Sequence, residues 1–265
     1  MKIDYNLQLN KNNKLQHFLN IEYLSKEHIN EIIDLADNYI SSNSNKFKDL
    51  EGKTIASLFF EPSTRTKTTF ELASKRLSAD FINIDIANSS TLKGESILDM
   101  IKTLEAMECD MFIVRHSSSG TPHYIAKEVG DKISIINAGD GIHAHPTQAM
   151  LDMYTIKKHK GGFENLNVSI VGDILHSRVA KSLIASLKIL SVANINIIGP
   201  KNLMPENINE LGVNYFSNLE EGINNVDVII MLRLQQERMK EAFISTEDYY
   251  NDYGLTKKKI ELAKK

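Results

Sequence analysis

A chain of 265 residues is long enough for two modest domains or one large one. Its apolar content of 42% and charged content of 25% are ordinary for a globular protein, and a net charge of −3 excludes a strongly basic nucleic-acid-binding surface. The single cysteine, Cys109, excludes a disulfide framework and a cysteine-based metal site. The first ten residues are polar and no apolar run is long enough to cross a membrane, so we expect a cytosolic protein without membrane partners.

Strands and helices alternate through the first half of the chain. Ser25 is placed to cap a helix with an apolar face that includes Ile29, Ile33 and Ile40. The apolar run Thr54–Phe60 predicts a buried strand, and a second helix opens near Ser63. The pattern then predicts strands at 81–85, 111–115 and 133–137, a helix at about 95–107, and another helix with Thr121 as N-cap and Pro122 as its first residue.

A second series of strands and helices follows Pro146. This proline is expected to begin a helix that runs to about His159 and stops before Gly161-Gly162. Strands at 167–171, 194–198 and 226–231 and a helix at 177–190 come next. Such alternation indicates an α/β protein with two domains, 1–152 and 153–265, each a parallel sheet with helices on both faces.

The stretch Glu61-Pro-Ser-Thr-Arg-Thr66 lies at the corner between the first strand and the helix that follows. The first N–H groups of a helix have no partner within it, and the helix dipole is positive at this end. Hydroxyl and guanidinium groups at Ser63–Thr66 therefore suit a phosphate. The simpler alternative is an ordinary N-cap formed by Ser63 or Thr64.

Further polar residues follow other predicted strands, where ligands bind in open parallel sheets. Lys93 and Arg115 would add positive charge near a phosphate, and Arg178 and Arg233 suit carboxylates, which guanidinium groups bind in bidentate pairs. The simpler alternatives are a solvated loop charge for Lys93 and a surface ion pair with Asp173 for Arg178.

Other cofactor chemistry has weaker support in the sequence. His143, His145 and Asp140 resemble part of a metal site, but a third well-placed ligand is missing, so no metal is predicted. The loop after Gly172 lacks the G-x-G-x-x-G spacing of a dinucleotide site. Direct transfer between two anionic substrates, assisted by positioning and electrostatics, fits the remaining residues.

The motif Ser63-Thr-Arg-Thr66, preceded by Phe-x-Glu, resembles the carbamoyl-phosphate signature of the aspartate and ornithine carbamoyltransferase family. Arg115-His116, His145-Pro-Thr-Gln148 and Arg233-Leu-Gln235 extend the resemblance from about residue 20 to the end and favour aspartate as the second substrate. Resemblance to the aspartate enzymes implies formation of N-carbamoyl-L-aspartate and phosphate, a step of pyrimidine biosynthesis, without a cofactor or an active-site metal.

The resemblance also implies a role for each matching residue. Carbamoyl phosphate would be bound by Ser63, Thr64, Arg65, Thr66, Arg115, His145 and Gln148, and Thr66, Arg115 and His145 would polarise its carbonyl. Aspartate would be bound by Lys93, Arg178, Arg233 and Gln235. Glu61 would bridge to Arg178 and Arg238 when the domains close.

Members of the family are homotrimers with shared active sites, and here Lys93, with Ser89 or Ser90, would come from the neighbouring subunit. Assembly with regulatory or dihydroorotase chains stays open. The family pattern continues with a His-Pro-x-Pro-Arg loop and a final helix, whereas this sequence ends at Lys265 with His145-Pro146 as its one His-Pro pair. We therefore expect retained carbamoyl-phosphate binding and weakened turnover. An ornithine-type enzyme and a truncated, non-catalytic carbamoyl-phosphate-binding chain are the alternatives.

Overall fold

The computed structural model describes residues 5–42, 44–84, 86, 94, 96–238 and 245–264. It divides into two compact units, Met1–Met150 and Leu151–Lys265. Within the described part of the chain, no helix is both long enough and apolar enough to cross a membrane.

The first unit is built on a parallel four-stranded sheet with the order β2-β1-β3-β4. Its strands are β1 (Thr54–Phe59), β2 (Asp80–Ile84), β3 (Met111–His116) and β4 (Ser134–Asp140). Its helices are α1 (Lys26–Ser41), α2 (Thr64–Arg76), α3 (Ile97–Ala106) and α4 (Thr121–Val129), with 3₁₀ turns at Tyr5–Gln8 and Gly130–Lys132. Helix α5 (Pro146–Lys160) follows the last strand.

Side chains on alternate positions of this sheet enter two different apolar clusters. Leu58, Phe112 and Val114 pack in one cluster with residues of α3 and α4, whereas Ile55 and Ile113 pack in the other with Phe70 of α2. Successive residues of a strand point to opposite faces, so both faces of the sheet are covered. Burial of each large apolar side chain stabilises the unit by about 1.5–3 kcal/mol.

The second unit contains another parallel four-stranded sheet, with the order β7-β6-β5-β8. Its strands are β5 (Asn167–Val171), β6 (Asn194–Ile198), β7 (Asn214–Phe216) and β8 (Val228–Met231). Its helices are α6 (Arg178–Ile189), α7 (Leu219–Ile223), α8 (Thr246–Tyr253) and α9 (Lys257–Ile260), with 3₁₀ turns at Lys201–Leu203, Ile208–Leu211 and Gln236–Arg238. The two parallel sheets with their helices confirm the predicted α/β fold class.

The structure also differs from the predicted elements. Helix α4 has Gly120 as its N-cap, with φ at +90°, so Thr121 and Pro122 are its first two residues and the predicted cap at Thr121 is wrong. Strand β4 continues to Asp140, beyond the predicted end at Asn137. Strand β7 and helices α7, α8 and α9 were not predicted.

Candidate active site

Three segments with predicted site residues leave the first sheet at its carboxyl edge. They follow β1, β3 and β4, which are neighbours in the sheet. Phe59 of β1 is paired in register with Arg115 of β3, and His116 is paired with Asp140 of β4. The β3–β4 register shifts between Val114 and His116, an irregularity of the kind that redirects side chains beside functional sites.

Ser63 is the N-cap residue of α2, in an extended backbone conformation, and its side chain makes no capping hydrogen bond. Thr64 and Arg65 are exposed, and Thr66 is half-buried. An ordinary N-cap would use the Ser63 hydroxyl to bind a first-turn N–H group. Here that hydroxyl is not used by the helix, which suits the predicted phosphate site better than the simple cap.

Arg115 forms an ion pair with Glu61 in the same unit. Its Nε lies 2.7 Å from Glu61 Oε1, and its NH1 donates to the carbonyl of Ala138 at 3.2 Å. The two charged side chains are 14% and 20% exposed, so water screens the pair only in part. Glu61 thus holds the guanidinium beside the segment that leads to Ser63.

His145 lies directly before α5 and accepts the N–H of Ala149 at its carbonyl, at 3.2 Å. Its side chain is buried, and its Nδ1 lies 3.4 Å from the Thr147 hydroxyl. Gln148, in the first turn of α5, is half-buried. His145 and Gln148 are therefore three residues apart, directly before α5 and in its first turn.

Asp140 organises the loop between β4 and His145. Its fully buried carboxylate accepts hydrogen bonds from four donors: Asn137 Nδ2 (2.8 Å), Gly120 N (2.7 Å), His143 Nδ1 (2.9 Å) and Ala144 N (3.1 Å). Burial opposes ionisation, but the contact with His143 and the other hydrogen bonds lower the pKa of Asp140. This supporting role was not predicted; an acidic residue in a glycine-bearing loop directly after a buried strand is its signal in the sequence.

Gly141 in this loop has φ at +45°, and a Cβ atom on it would lie 2.7 Å from Ser119 N and 2.9 Å from Ser117 O. Its N–H donates to the carbonyl of His116 at 2.9 Å. The loop after β4 is therefore packed backbone to backbone against the loop after β3. Only glycine fits this contact without displacement.

In the second unit, Asp173 is the corresponding buried carboxylate. It accepts hydrogen bonds from the N–H and Nδ1 of His176, at 3.0 and 2.9 Å, and from the N–H of Gln235 at 3.3 Å. Gln235 follows β8, so Asp173 joins the segments that leave β5 and β8. Gly172 permits this close approach, because a Cβ atom there would lie 2.9 Å from Leu232 Cβ.

The predicted carboxylate-binding residues of the second unit, and Arg238, which was predicted as a domain-closure residue, lie on or next to these same segments. Arg178, the first residue of α6, is only 3% exposed, which excludes the surface ion pair considered above. Arg238 donates through NH1 to the carbonyl of His176 at 3.0 Å. Gln235 is buried, whereas Arg233 is exposed and donates to the carbonyl of Leu234 at 3.2 Å.

Three predicted residues, Lys93, Ser89 and Ser90, lie outside the described residues. Among the residues that are described, one group has side chains close enough to hold a metal ion: His123, Asp140 and His143. Burial, assisted by the neighbouring His143, lowers the pKa of His123 to about 4. The sequence pattern offered His143 and His145 near Asp140 without a third well-placed ligand; the group in the structure contains His123 of α4 and not His145.

Comparison with known proteins agrees with this architecture. A family model described as the carbamoyl-P binding domain of aspartate/ornithine carbamoyltransferase matches residues 16–158. The model of the Asp/Orn binding domain of the same family matches residues 164–265.

Solved structures give the same result. Aspartate transcarbamoylase from Trypanosoma cruzi in complex with N-(phosphonacetyl)-L-aspartic acid is 29% identical with a TM-score of 0.84, over 98% of this chain and 84% of that chain. The same enzyme with carbamoyl aspartate and phosphate is 28% identical, also with a TM-score of 0.84, over 99% and 86%. The catalytic subunit of M. jannaschii aspartate transcarbamoylase is 32% identical with a TM-score of 0.76, over 90% and 79%. The chain belongs to the aspartate/ornithine carbamoyltransferase family.

Proposed function

We propose that this chain transfers the carbamoyl group of carbamoyl phosphate to the amine of L-aspartate, which yields N-carbamoyl-L-aspartate and phosphate. The observation that carries the proposal is the match of both halves to the family models, together with the similarity to aspartate transcarbamoylases from two organisms. One of these structures contains carbamoyl aspartate and phosphate, the products of the proposed reaction.

The first unit supplies the carbamoyl-phosphate site in this proposal. Ser63, Thr64, Arg65 and Thr66 bind the phosphate at the start of α2, where the helix dipole favours an anion. Arg115 and His145 then polarise the carbonyl together with Thr66, and Gln148 binds the carbamoyl nitrogen. The support is that segments after β1, β3 and β4 leave one edge of one sheet.

The second unit supplies the aspartate site. Arg178, Arg233 and Gln235 bind the two carboxylates, since guanidinium groups match carboxylates in bidentate pairs. Arg178 and Gln235 are buried, and Asp173 holds the segment that carries Gln235. Two arginines favour an acidic second substrate over ornithine, whose side chain is cationic.

The proposed reaction is a direct transfer. The uncharged amine of aspartate attacks the carbamoyl carbon, a C–N bond forms, and the bond from carbon to the phosphate oxygen breaks. The proton that the amine loses passes to the departing phosphate. Negative charge develops on the carbonyl oxygen in the transition state, where Thr66, Arg115 and His145 donate. Such preorganised donors are typically worth about 3 kcal/mol each.

We also propose that the active enzyme is a homotrimer in which Lys93 enters the site of the neighbouring subunit. The support is the resemblance of the sequence to the family, in which the site is shared. We also propose a cytosolic location, and further assembly with regulatory or dihydroorotase chains is left open.

The substrate is tested by incubating the purified chain with radiolabelled carbamoyl phosphate and either L-aspartate or L-ornithine. We expect labelled carbamoyl aspartate and no citrulline. Citrulline would instead identify an ornithine-type enzyme. No product from either amino acid, with carbamoyl phosphate still bound, would favour the non-catalytic alternative.

A variant tests the arginine argument in the same assay. Arg233→Gln should raise the KM for aspartate at least about tenfold, because a charge-assisted contact to a carboxylate is lost. The Kd of carbamoyl phosphate should not change. Arg76→Gln is the matched control, since Arg76 is an exposed arginine in the last turn of α2. Equal effects of both substitutions would contradict the assignment of Arg233.

A further inference from the structure

The first unit contains a cluster of three possible metal ligands close to the loop that leads to His145. They are His123, Asp140 and His143. His123 lies on α4, Asp140 ends β4, and His143 lies in the following loop. Each offers one ligand atom, and these atoms all lie within 4.8 Å of one another. The rings of His123 and His143 meet edge to face with centroids 5.4 Å apart.

The donor set is that of a zinc-class ion. Two imidazoles and one carboxylate, with a water molecule in the fourth position, form a common open tetrahedral zinc site. With bonds of about 2.0–2.1 Å, ligand atoms of a tetrahedral site are roughly 3.3 Å apart. The three atoms, which now lie within 4.8 Å of one another, need to reach about this spacing around one ion.

The Nδ1 atom of His123 is a second observation that points to a ligand in this cluster. His123 is 5% exposed, and its Nδ1 is buried with no hydrogen-bond partner among the described residues. Buried polar atoms of native proteins nearly always have a partner. An ion bound between the three side chains would give this nitrogen one.

The other ring nitrogen of His123, Nε2, lies near the side-chain amide of Asn20, which is oriented by Gln8. Gln8 Oε1 accepts the N–H groups of Leu19 and Asn20, so its Nε2 donates to Asn20 Oδ1, and Asn20 Nδ2 lies 3.3 Å from His123 Nε2. Coordination through Nδ1 leaves the ring proton on Nε2. Two donors then face each other, so the hydrogen bond with Asn20, already long at 3.3 Å, is lost when the ion binds.

The carboxylate already has the surroundings of a metal ligand. Asn137 Nδ2, Gly120 N and Ala144 N orient the carboxylate of Asp140, as the hydrogen-bonded second layer around metal sites does. The His143 Nδ1 to Asp140 Oδ2 distance of 2.9 Å is a hydrogen bond, and an ion would replace its proton. We propose that His123, Asp140 and His143 form a binding site for a divalent ion of the zinc class.

This inference is independent of the proposed function, since its test measures binding. The tag-free chain, stripped with chelator, is titrated with Co²⁺, and the visible d–d absorption of four-coordinate cobalt is followed. We expect one site per chain, displacement of Co²⁺ by Zn²⁺, and an increase in Tm with Zn²⁺, because an ion that binds only the folded state stabilises it.

Two variants and one control locate the site. His143→Asn can still donate a hydrogen bond to Asp140 but removes an imidazole, and His123→Gln removes the ligand on α4; each should weaken binding at least about tenfold. His176→Asn is the control, because His176 and Asp173 form a similar pair 2.9 Å apart that belongs to no such group within the described part of the chain. Absence of the cobalt spectrum, or a spectrum kept in both folded variants, would overturn the proposal.

Discussion

Glu61 and Arg115 face each other at the carboxyl edge of the first sheet, with 2.7 Å between Oε1 and Nε. Carbamoyl phosphate would add an anion beside the same guanidinium. Glu61→Gln removes a negative charge that repels the anion but keeps an oxygen that can accept from Arg115 Nε, so we expect the Kd of carbamoyl phosphate to change by less than about threefold. If Glu61 bridges to Arg178 and Arg238 during turnover, kcat/KM for aspartate should fall at least about tenfold.

Calorimetric binding of carbamoyl phosphate and steady-state kinetics with aspartate separate these two effects. Glu51→Gln is the control, because the Lys48–Glu51 pair at 3.2 Å is a surface pair, with side chains 81% and 61% exposed. Surface pairs of this kind contribute about 0–1 kcal/mol, so this control should behave as the unmodified chain. If Glu61→Gln lowers kcat/KM for aspartate and the affinity for carbamoyl phosphate by the same factor, Glu61 is not a domain-closure residue.

The loop after β4 is the element that places His145 before α5. Gly141→Ala would force a Cβ atom against Ser119 N and Ser117 O, from a backbone conformation that alanine rarely adopts. We expect a loss of about 1–3 kcal/mol in the free energy of unfolding. The same loop positions His145, so kcat should also fall. Urea unfolding measures the stability, and steady-state kinetics measure kcat.

Gly162→Ala is the matched control for this element. A Cβ atom added to Gly162 would have no neighbouring atom within 4 Å, and the residue has no left-handed φ. Alanine there should leave the free energy of unfolding unchanged or raise it by about 0.4–1 kcal/mol, because the unfolded chain loses freedom. A Gly141→Ala variant as stable and active as Gly162→Ala would contradict the close packing of the two loops.

Sequence patterns predicted the long elements well. Strands β5 and β6 lie at the predicted bounds, since each is a short apolar run between polar or glycine residues. Strand β7 and helix α7 span only three and five residues, too few for a periodic pattern. The start of α4 was displaced by one residue: Gly120, with a left-handed backbone, is the N-cap, and its N–H donates to Asp140, 20 residues further along the chain, a contact that no local pattern reveals.

The positions of the proposed site residues were predictable where they depend on topology. Residues at the carboxyl ends of parallel strands share one sheet edge, and this rule, with the helix start at Ser63 and the family resemblance, led to the selection of Ser63–Thr66, Arg115 and His145. The supporting contacts were not predictable in this way. Asp140 is reached by donors from α4 and from β4 itself, and His123 approaches it from α4, so their proximity exists only after the sheet has formed.

The residues proposed to bind the two substrates are divided between the two units. Arg65, Arg115 and His145 lie in the first, and Arg178, Arg233 and Gln235 lie in the second. Under the proposed reaction neither unit has activity alone. The proposal adds a third contribution, Lys93 of a neighbouring subunit, which makes the trimer the smallest active particle. A symmetric ring in which each chain completes its neighbour's site is a heterologous assembly that closes after three copies.

Mixing two inactive chains tests this arrangement. Lys93→Ala and Arg233→Ala should each have little activity, whereas equal amounts unfolded and refolded together should regain about one quarter of the normal sites, half times half under random assembly. Arg233 is exposed, so its removal leaves the fold intact. Carbamoyl aspartate formation is measured, with trimers verified by sedimentation.

The control mixes Lys93→Ala with a chain that carries both substitutions. No subunit in that mixture has Lys93, so no site can be completed and no activity should return. If hybrid trimers of the two single variants are equally inactive, Lys93 acts within its own chain or not at all, and the shared site is wrong. Recovery near one quarter requires instead that a lysine and an arginine from different chains serve one reaction, since no chain in the mixture carries both.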